Sequence, residues 1–567
     1  MLALPADAAA AGISAERMHA LLTELCALGR KLPGSPAEAA ACDIIARELA
    51  AAGVAHQVHH FDAFIGWPTR SGITLPGDAS REIQATGVGM AAGTPPEGIV
   101  APLADGAALA AGRIALVEGL PRYDAVMAAQ RAGAVGVVAI SHGHERHYVQ
   151  ASPIWGAPTS AAELAMLPQI PVVQVSKEDG ALLRAHGTGQ IRLVAEARRE
   201  WRPVRMPVAE IPGESPYFVL LGAHYCTWAA GATDNLAAVA MLVELARLFA
   251  SGPRPRHGLR FAFWTGHEQG GYAGSSWYAD NHWADLRDRA IAYFNVDIIG
   301  VRGGTTKALR NTTAELHGFA AGALEATAGP LPASERDFVA HALRRQDKYV
   351  PATRSARNSD QSFSGIGLPS LQVSAFLPAA STEHMPGSGL AWWWQTEEDT
   401  PDRCDPAVLA ADALIHHNIL RELTAAEILP FDLAGMADDA LASLREYAEA
   451  APDLAEIVLL RSLAEDVRAA AASLADRPAT DAAARNALLL RVTRLLNPVL
   501  HHARSSHEFD LGRASRLLPG LAPALGLASL PADEARMARV LLRRRANRIA
   551  DAFQAAIAAL RDPEPRN

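Results

Sequence analysis

GAHYCTWAAGATDN (222–235), WTGHEQGGYAGSSWYAD (264–280) and YFNVDIIG (293–300) decide the reading of this chain. Each opens at the end of an apolar run, YFVLLGAH, LRFAFW or AIAYFNVD, that reads as a buried strand. Each run gives way to a polar residue that a metal ion could use: His224, Glu268 and Asp297. Asp234 follows the first run in a Gly-rich loop, just ahead of the apolar helical stretch NLAAVAMLVELARLFA. In open α/β sheets functional groups gather where the strands end. A lone Asp there is ordinarily a helix cap, and a lone His a satisfied core or surface residue. Three successive strand ends with imidazole or carboxylate donors point instead to a metal site.

Working outward, residues 198–425 hold these strand ends. A loop (RGGTTKALRN), a helix (TTAELHGFAAGALEATAG), a polar segment ending in NSDQSFSG (358–365) and a further buried strand, GIGLPSLQVSAF, follow Asp297. WWWQTEEDTPDRCD (392–405) then leads into the helix PAVLAADALIHHNILREL. Upstream, ERMHALLTELCALG and AEAAACDIIARELAAAG carry helical spacing around the break KLPGSP, with Gly53 as the stop. VAHQVHHFDAF alternates as a strand, and its His56, His59 and His60 read as a solvated face.

Residues 69–197 differ in texture. Short strands (GRIALVEG, AVGVVAIS, IPVVQVS) alternate with short helices (YDAVMAAQRAG, KEDGALLRAHG), as in a small separate α/β module. Its long loop, SHGHERHYVQASPIWGAPTS, contains His142, His144 and His147 but no carboxylate at a fixed spacing, so it reads as a loop that covers something. Residues 426–567 are Ala- and Leu-rich with helical periodicity nearly throughout, which predicts a helical bundle.

The 567 residues suit several domains, and the balance of 50% hydrophobic and 20% charged residues is that of globular protein. A net charge of −9 without a long basic run argues against nucleic acid as the main partner. Cys26, Cys42, Cys226 and Cys404 lack CxxC spacing and read as reduced thiols of a cytoplasmic protein. MLALPADAAAAGIS has no basic start followed by an apolar core, and no uninterrupted apolar stretch offers a membrane span, so neither export nor a membrane partner is expected.

The motifs GAHYCTW, GYAGSSWYA, NVDIIG, SDQSFSGIGLPSL and WWWQTEEDTPDRCD occur in an order that resembles metallopeptidase family 28, the zinc aminopeptidase and glutamate carboxypeptidase group that includes the transferrin receptor. The resemblance implies a mixed-sheet α/β catalytic domain built from residues 1–68 and 198–425, an inserted protease-associated domain at 69–197 and a C-terminal helical dimerisation domain at 426–567. It implies two zinc ions sharing a carboxylate: His224 and Asp297 on the first, Asp234 bridging, Glu268 on the second. Three positions depart from the family. Cys226 stands where an Asp orients the histidine, His267 where a Glu acts as general base, and Gln395 where a His completes the second metal.

These departures shape the expectations. His224, Asp234 and Asp297 suffice for one tightly held zinc with an open position. Glu268 and Gln395 form a weaker second position, since an amide oxygen is a poor zinc ligand. His267 is the candidate base, or itself a ligand. Cys226 is a thiolate near the metal or a small apolar filler. Trp392, Trp393, Trp394 and the NSDQSFSG loop line or support the pocket. The function expected is metal-dependent hydrolysis of peptide or amide bonds by a homodimer. The alternatives are a non-catalytic binding or assembly protein, and one-metal acyl transfer or cyclisation.

Overall fold

The structure is a computed structural model that describes residues 6–76, 81–347, 359–386, 388–512 and 516–562. It is a mixed α/β architecture. A large sheet holds the strand ends, a smaller α/β unit lies within the first half of the chain, and the C-terminal region is helical.

The chain opens with two capped helices. Ser14 and Ser35 accept backbone N–H groups of Arg17 (3.1 Å) and Glu38 (3.2 Å), which fixes the starts of Ala15–Cys26 and Pro36–Ala51. Gly53, at φ +70°, turns the chain out of the second helix in the left-handed conformation that glycine tolerates.

Four parallel strands form the centre, in the order Ser370–Phe376, Ala290–Asn295, Phe218–His224, Gly258–Trp264. All are buried along their length, as their uniform hydrophobicity predicts. After Phe218–His224 the chain passes through the helix Ala237–Ser251 to the neighbour on one side, then returns to the neighbour on the other. The strand order therefore reverses at the His224 strand, and a crevice forms outside its carboxyl end. Trp264 pairs with His224 and Asn295 with Gly222, so the loops carrying Glu268, Asp297 and Asp234 leave the sheet at one level.

Two departures from the sequence reading occur at the sheet's margins. Residues Thr306–Leu309, read as loop, form an edge strand antiparallel to Ser370–Phe376. The strand that begins at VAHQVHHFDAF runs on through Pro68 as Ala55–Leu75, with a register shift between Pro68 and Arg70. It pairs antiparallel with the similarly long Gln190–Ile211. The far end of Gln190–Ile211 joins Gly258–Trp264, while its near end joins Ile99–Asp105 of the smaller unit. Hydrogen bonding is thus continuous between the two units through this strand, yet their cores are distinct. Leu103, Ile114, Leu116, Val138, Ile140 and Val173 form a cluster of their own.

The helices Leu433–Ala450, Ala455–Ala475, Ala482–His501 and Ala532–Arg561 make up the C-terminal region, whose core is continuous with that of the main sheet. Arg494 is driven into the sheet domain, where it donates to the carbonyls of Arg287 (2.9 Å) and Gly367 (3.1 Å). Among the described residues no helix is long and apolar enough to cross a membrane. All four cysteines are buried and unpaired.

Candidate metal centre

His224 is the last residue of its strand, and it is 1% exposed. Its Nδ1–H donates to the carbonyl of Cys226 at 3.0 Å, leaving Nε2 as the free nitrogen. The backbone of residue 226 thereby performs the orientation expected of a side chain there. Nε2 lies 3.1 Å from Asp234 Oδ1 and 3.5 Å from Asp297 Oδ1. Burial alone would lower the imidazole pKa, but the two carboxylates outweigh it and hold it well above the usual value. Burial would likewise raise Asp297, yet His224 brings it down to about 2.

Asp234 is placed by its neighbours. The buried Asp399 accepts the backbone N–H groups of Thr233 (2.9 Å) and Asp234 (3.0 Å) and the Thr233 hydroxyl (2.7 Å). Asn235 donates to Val296 O at 2.8 Å and accepts from Ile298 N at 3.1 Å, which ties the Asp234 loop to the Asp297 loop. Ser359 donates to Asp297 Oδ2 at 2.6 Å.

Gly266, at φ +65°, turns the chain sharply out of Gly258–Trp264 into His267 and Glu268. Glu268 is held by two N–H donors: Trp228 Nε1 at 2.8 Å, and the Gln395 amide nitrogen at 2.8 Å from both carboxylate oxygens. Burial, helped by Asp234, raises the Glu268 pKa to about 7. The His267 ring stacks on His224 at 3.8 Å, and its Nδ1 lies 2.7 Å from Asp360 Oδ2. Cys226 Sγ accepts the backbone N–H of His267 at 3.2 Å, and burial pushes the thiol pKa up.

Among the described residues, two groups bring three potential ligand atoms within 4.8 Å of one another: His224–Asp234–Asp297 and His224–His267–Glu268. His224 Nε2 and Asp297 Oδ1 are buried without a hydrogen bond, as is Gln395 Oε1. Buried polar atoms left unpaired are costly, and an imidazole nitrogen facing two carboxylates fits a divalent ion.

The smaller unit's long loop covers this centre. Tyr148 N donates to Gln395 O at 2.8 Å, and the Tyr148 ring stacks on Trp228 at 5.7 Å. His147 Nδ1 bonds Trp394 O at 2.6 Å. Trp155 packs on Tyr272 at 4.2 Å and donates to Ser362 at 2.8 Å. Gly156 lies so close to Ser276 that no Cβ would fit between them. His144 pairs with Glu178 at 3.0 Å, and the HxHxxH spacing assembles no ligand group.

The structure brings together His224, Asp234, Asp297, His267, Glu268, Cys226 and Gln395. Trp393 is fully buried, and Trp392 donates to Glu383. Asn358, the first residue of NSDQSFSG, lies outside the described residues. Asp360 and Asp399 lie in the polar segments NSDQSFSG and WWWQTEEDTPDRCD, whose spacing marks out neither acid. Sequence reasoning also misses Trp228 as the donor to Glu268. The only available signal was an acid in a short polar loop close to an aromatic or Gly-rich turn, which many solvated acids share.

Residues 208–419 match the family model described as Peptidase family M28, and residues 83–183 match the PA domain. Probable lipoprotein aminopeptidase LpqL of Mycobacterium tuberculosis is 26% identical over 311 residues, covering 51% of this chain and 59% of that protein. Aminopeptidase YwaD of Bacillus subtilis is 27% identical, covering 50% and 62%. Transferrin receptor protein 2 of Rattus norvegicus is 26% identical, covering 47% and 34%. The matches thus span less than two thirds of each of these relatives. A solved zinc aminopeptidase from Bacillus subtilis shares the fold, with a TM-score of 0.54 at 21% identity over 72% of this chain and 94% of that one.

Proposed function

We propose that the chain is a metal-dependent hydrolase of peptide or amide bonds, aminopeptidase-like in its chemistry, a reading supported by the match of residues 208–419 to the peptidase family M28 model and of residues 83–183 to the PA domain. The observation that carries this reading is the triad of the buried His224 and Asp234 with the half-buried Asp297, in which an imidazole nitrogen and a carboxylate oxygen are left without hydrogen bonds. These residues would hold one zinc ion and leave a coordination position open. Such an ion supplies Lewis acidity, which polarises a carbonyl and acidifies water.

His267 acts beside the triad. It takes the proton released as water oxygen bonds to the carbonyl carbon, and gives it to the departing amine nitrogen as the C–N bond breaks. Cys226 keeps the thiol form and serves through its contacts: its carbonyl orients His224, and its sulfur receives the His267 N–H. Elemental analysis of metal-replete protein and a panel of aminoacyl-anilides and dipeptides test this reading. No bound ion and no hydrolysis would transfer support to a binding or assembly role, which the similarity to a transferrin receptor favours.

We assign the chain one tight ion, with Glu268 and Gln395 as a weak second position. Gln395 offers Glu268 its NH2 group, so the amide already satisfies the carboxylate that a second ion would need. Gln395→His exchanges that donor for an imidazole. Elemental analysis should then find zinc rising from about one toward about two per chain. Wild-type protein with two tight ions would refute the assignment.

The same reading takes residues 1–68 and 198–425 as the catalytic domain, 69–197 as the inserted domain and 426–567 as a dimerisation domain. Val458 and Leu459 are exposed on Ala455–Ala475, and Met537, Val540 and Leu541 on Ala532–Arg561. Arg543–Glu456 (2.7 Å) joins these helices beside the apolar residues, and Arg539 pairs with Asp453 (2.5 Å) just ahead of the first. A second copy of the chain would cover such a patch. Light scattering at micromolar protein should give a dimer, and Leu459→Glu with Val540→Glu a monomer that keeps its metal. The four unpaired thiols suit a reducing compartment, and on that ground we propose a cytoplasmic protein.

A further inference from the structure

His267 is the end of a one-way chain of hydrogen bonds that begins in the inserted unit. Trp155 Nε1 donates to Ser362 Oγ at 2.8 Å, Ser362 and Ser275 share a bond at 2.8 Å, and Ser275 donates to Asp360 Oδ1 at 2.7 Å. The other carboxylate oxygen of Asp360 lies 2.7 Å from His267 Nδ1. All five side chains are buried.

Counting protons fixes every direction. An ionised Asp360 can only accept, so the single proton of Ser275 goes to it. The carbonyl of Tyr272, at 3.3 Å from Ser275, is the weaker competitor, since hydrogen bonds to a charged acceptor are shorter and stronger. Ser275 must then accept from Ser362, whose only proton is used in that bond. Ser362 can accept only from a group with a proton to spare, and the Trp155 indole, a pure donor, supplies it. On the other side of the carboxylate, His267 must present Nδ1–H. Its Nε2 then carries the lone pair. A tautomer chosen this way costs no reorganisation during turnover.

We infer that Asp360 is the positioning residue that sets the tautomer of His267, and that the inserted unit, through Trp155, closes the far end of the chain that holds its carboxylate. This rests on the proposed role of His267, but the tautomer can be read without any turnover. Full-length protein labelled with 15N-histidine and stripped of metal by chelation is expected to show His267 as the Nδ1–H form, identified by the loss of its signals in His267→Ala. Asp360→Asn should give a mixture with the Nε2–H form, Trp155→Phe, which leaves the carboxylate in place, should keep the Nδ1–H form, and Asp360→Glu should restore the wild-type form.

In hydrolysis, Asp360→Asn should lower kcat by about 10²–10⁴-fold, the share of a general base, with KM and zinc content unchanged. His267 in the Nε2–H form in the wild type, or unmoved by Asp360→Asn, would overturn the inference whatever the activity. A rise in KM with loss of zinc would reduce Asp360 to a structural role. Absence of hydrolysis in the wild type would strike the proposed function alone. Should Asp360→Asn fail to fold, the wild-type spectrum still decides, since His267 in the Nε2–H form would overturn the inference.

Discussion

Asp234→Ala should emerge from purification without zinc and without measurable hydrolysis, although its melting temperature stays close to that of the wild type. The loss is large because Asp234 lies between the two ligand groups. Its Oδ1 is 3.1 Å from His224 Nε2, and it contributes to the raised pKa of Glu268. Altering a partner that merely supports a metal ligand costs about 10–100-fold in affinity, and removing a direct carboxylate ligand should exceed that. The fold should tolerate the change because the Asp234 loop is held by other atoms: Asp399 binds backbone N–H groups, and Asn235 binds across to residues 296 and 298. Elemental analysis, calorimetry and the anilide panel check the three parts separately. Retention of zinc in Asp234→Ala would remove this residue from the ligand set. A collapse in melting temperature would mean that its role is to hold the loop.

His267→Ala should keep its zinc but lose about 10²–10⁴-fold in kcat, the usual contribution of a positioned base. The two effects separate because the triad His224, Asp234 and Asp297 does not include His267. The imidazole does stack on His224, so the variant also removes a ring contact. His267→Phe restores an aromatic face without a nitrogen and should be as slow as the alanine variant. Zinc loss in both variants would instead make His267 a ligand, through the group it forms with His224 and Glu268. Full activity in His267→Ala would pass the proton-transfer role to Glu268, whose two N–H donors hold it in place without an ion.

Which parts of the site were legible follows from what a linear pattern can encode. His224, Glu268 and Asp297 could be found because each closes an apolar run, and a change from buried strand to polar loop is a local signal. The helical C-terminal region was legible for the same reason, through its repeat. Thr306–Leu309 was not. Flanked by Gly303, Gly304 and Arg310, it becomes a strand only because Ser370–Phe376 offers it an edge. The continuation of Ala55–Leu75 past Pro68 was hidden in the same way, since on one side it pairs with a strand more than a hundred residues later in the chain and on the other with the short Arg81–Gln84. Asp360 and Asp399 carry no local mark. Their importance lies in what faces them, and one-dimensional spacing does not reveal which polar loops fold inward. The substitution of Cys226 illustrates the opposite error. A missing side chain suggested a missing orienting group, whereas the carbonyl of the same residue fills the need.

The paired strands Ala55–Leu75 and Gln190–Ile211 have a consequence for how this molecule can be taken apart. Thr74 faces Arg192, so the two chains leave for the smaller unit from the tip of a hairpin. The attachment to the main sheet lies at the other end, where Val208 to Ile211 meet Ala262 to Leu259. The smaller unit is therefore carried on that tip, and Ile73, Ile191 and Leu193 of the paired strands pack in its core. The stretch between residues 76 and 189 could be excised and the tip closed with a two-residue Asn-Gly connection without cutting a strand of the central sheet. The pruned protein would keep every ligand of the metal triad and lose Tyr148, Gln150 and Trp155 from around it. Comparing the two would separate what the main sheet's own residues do from what the smaller unit contributes.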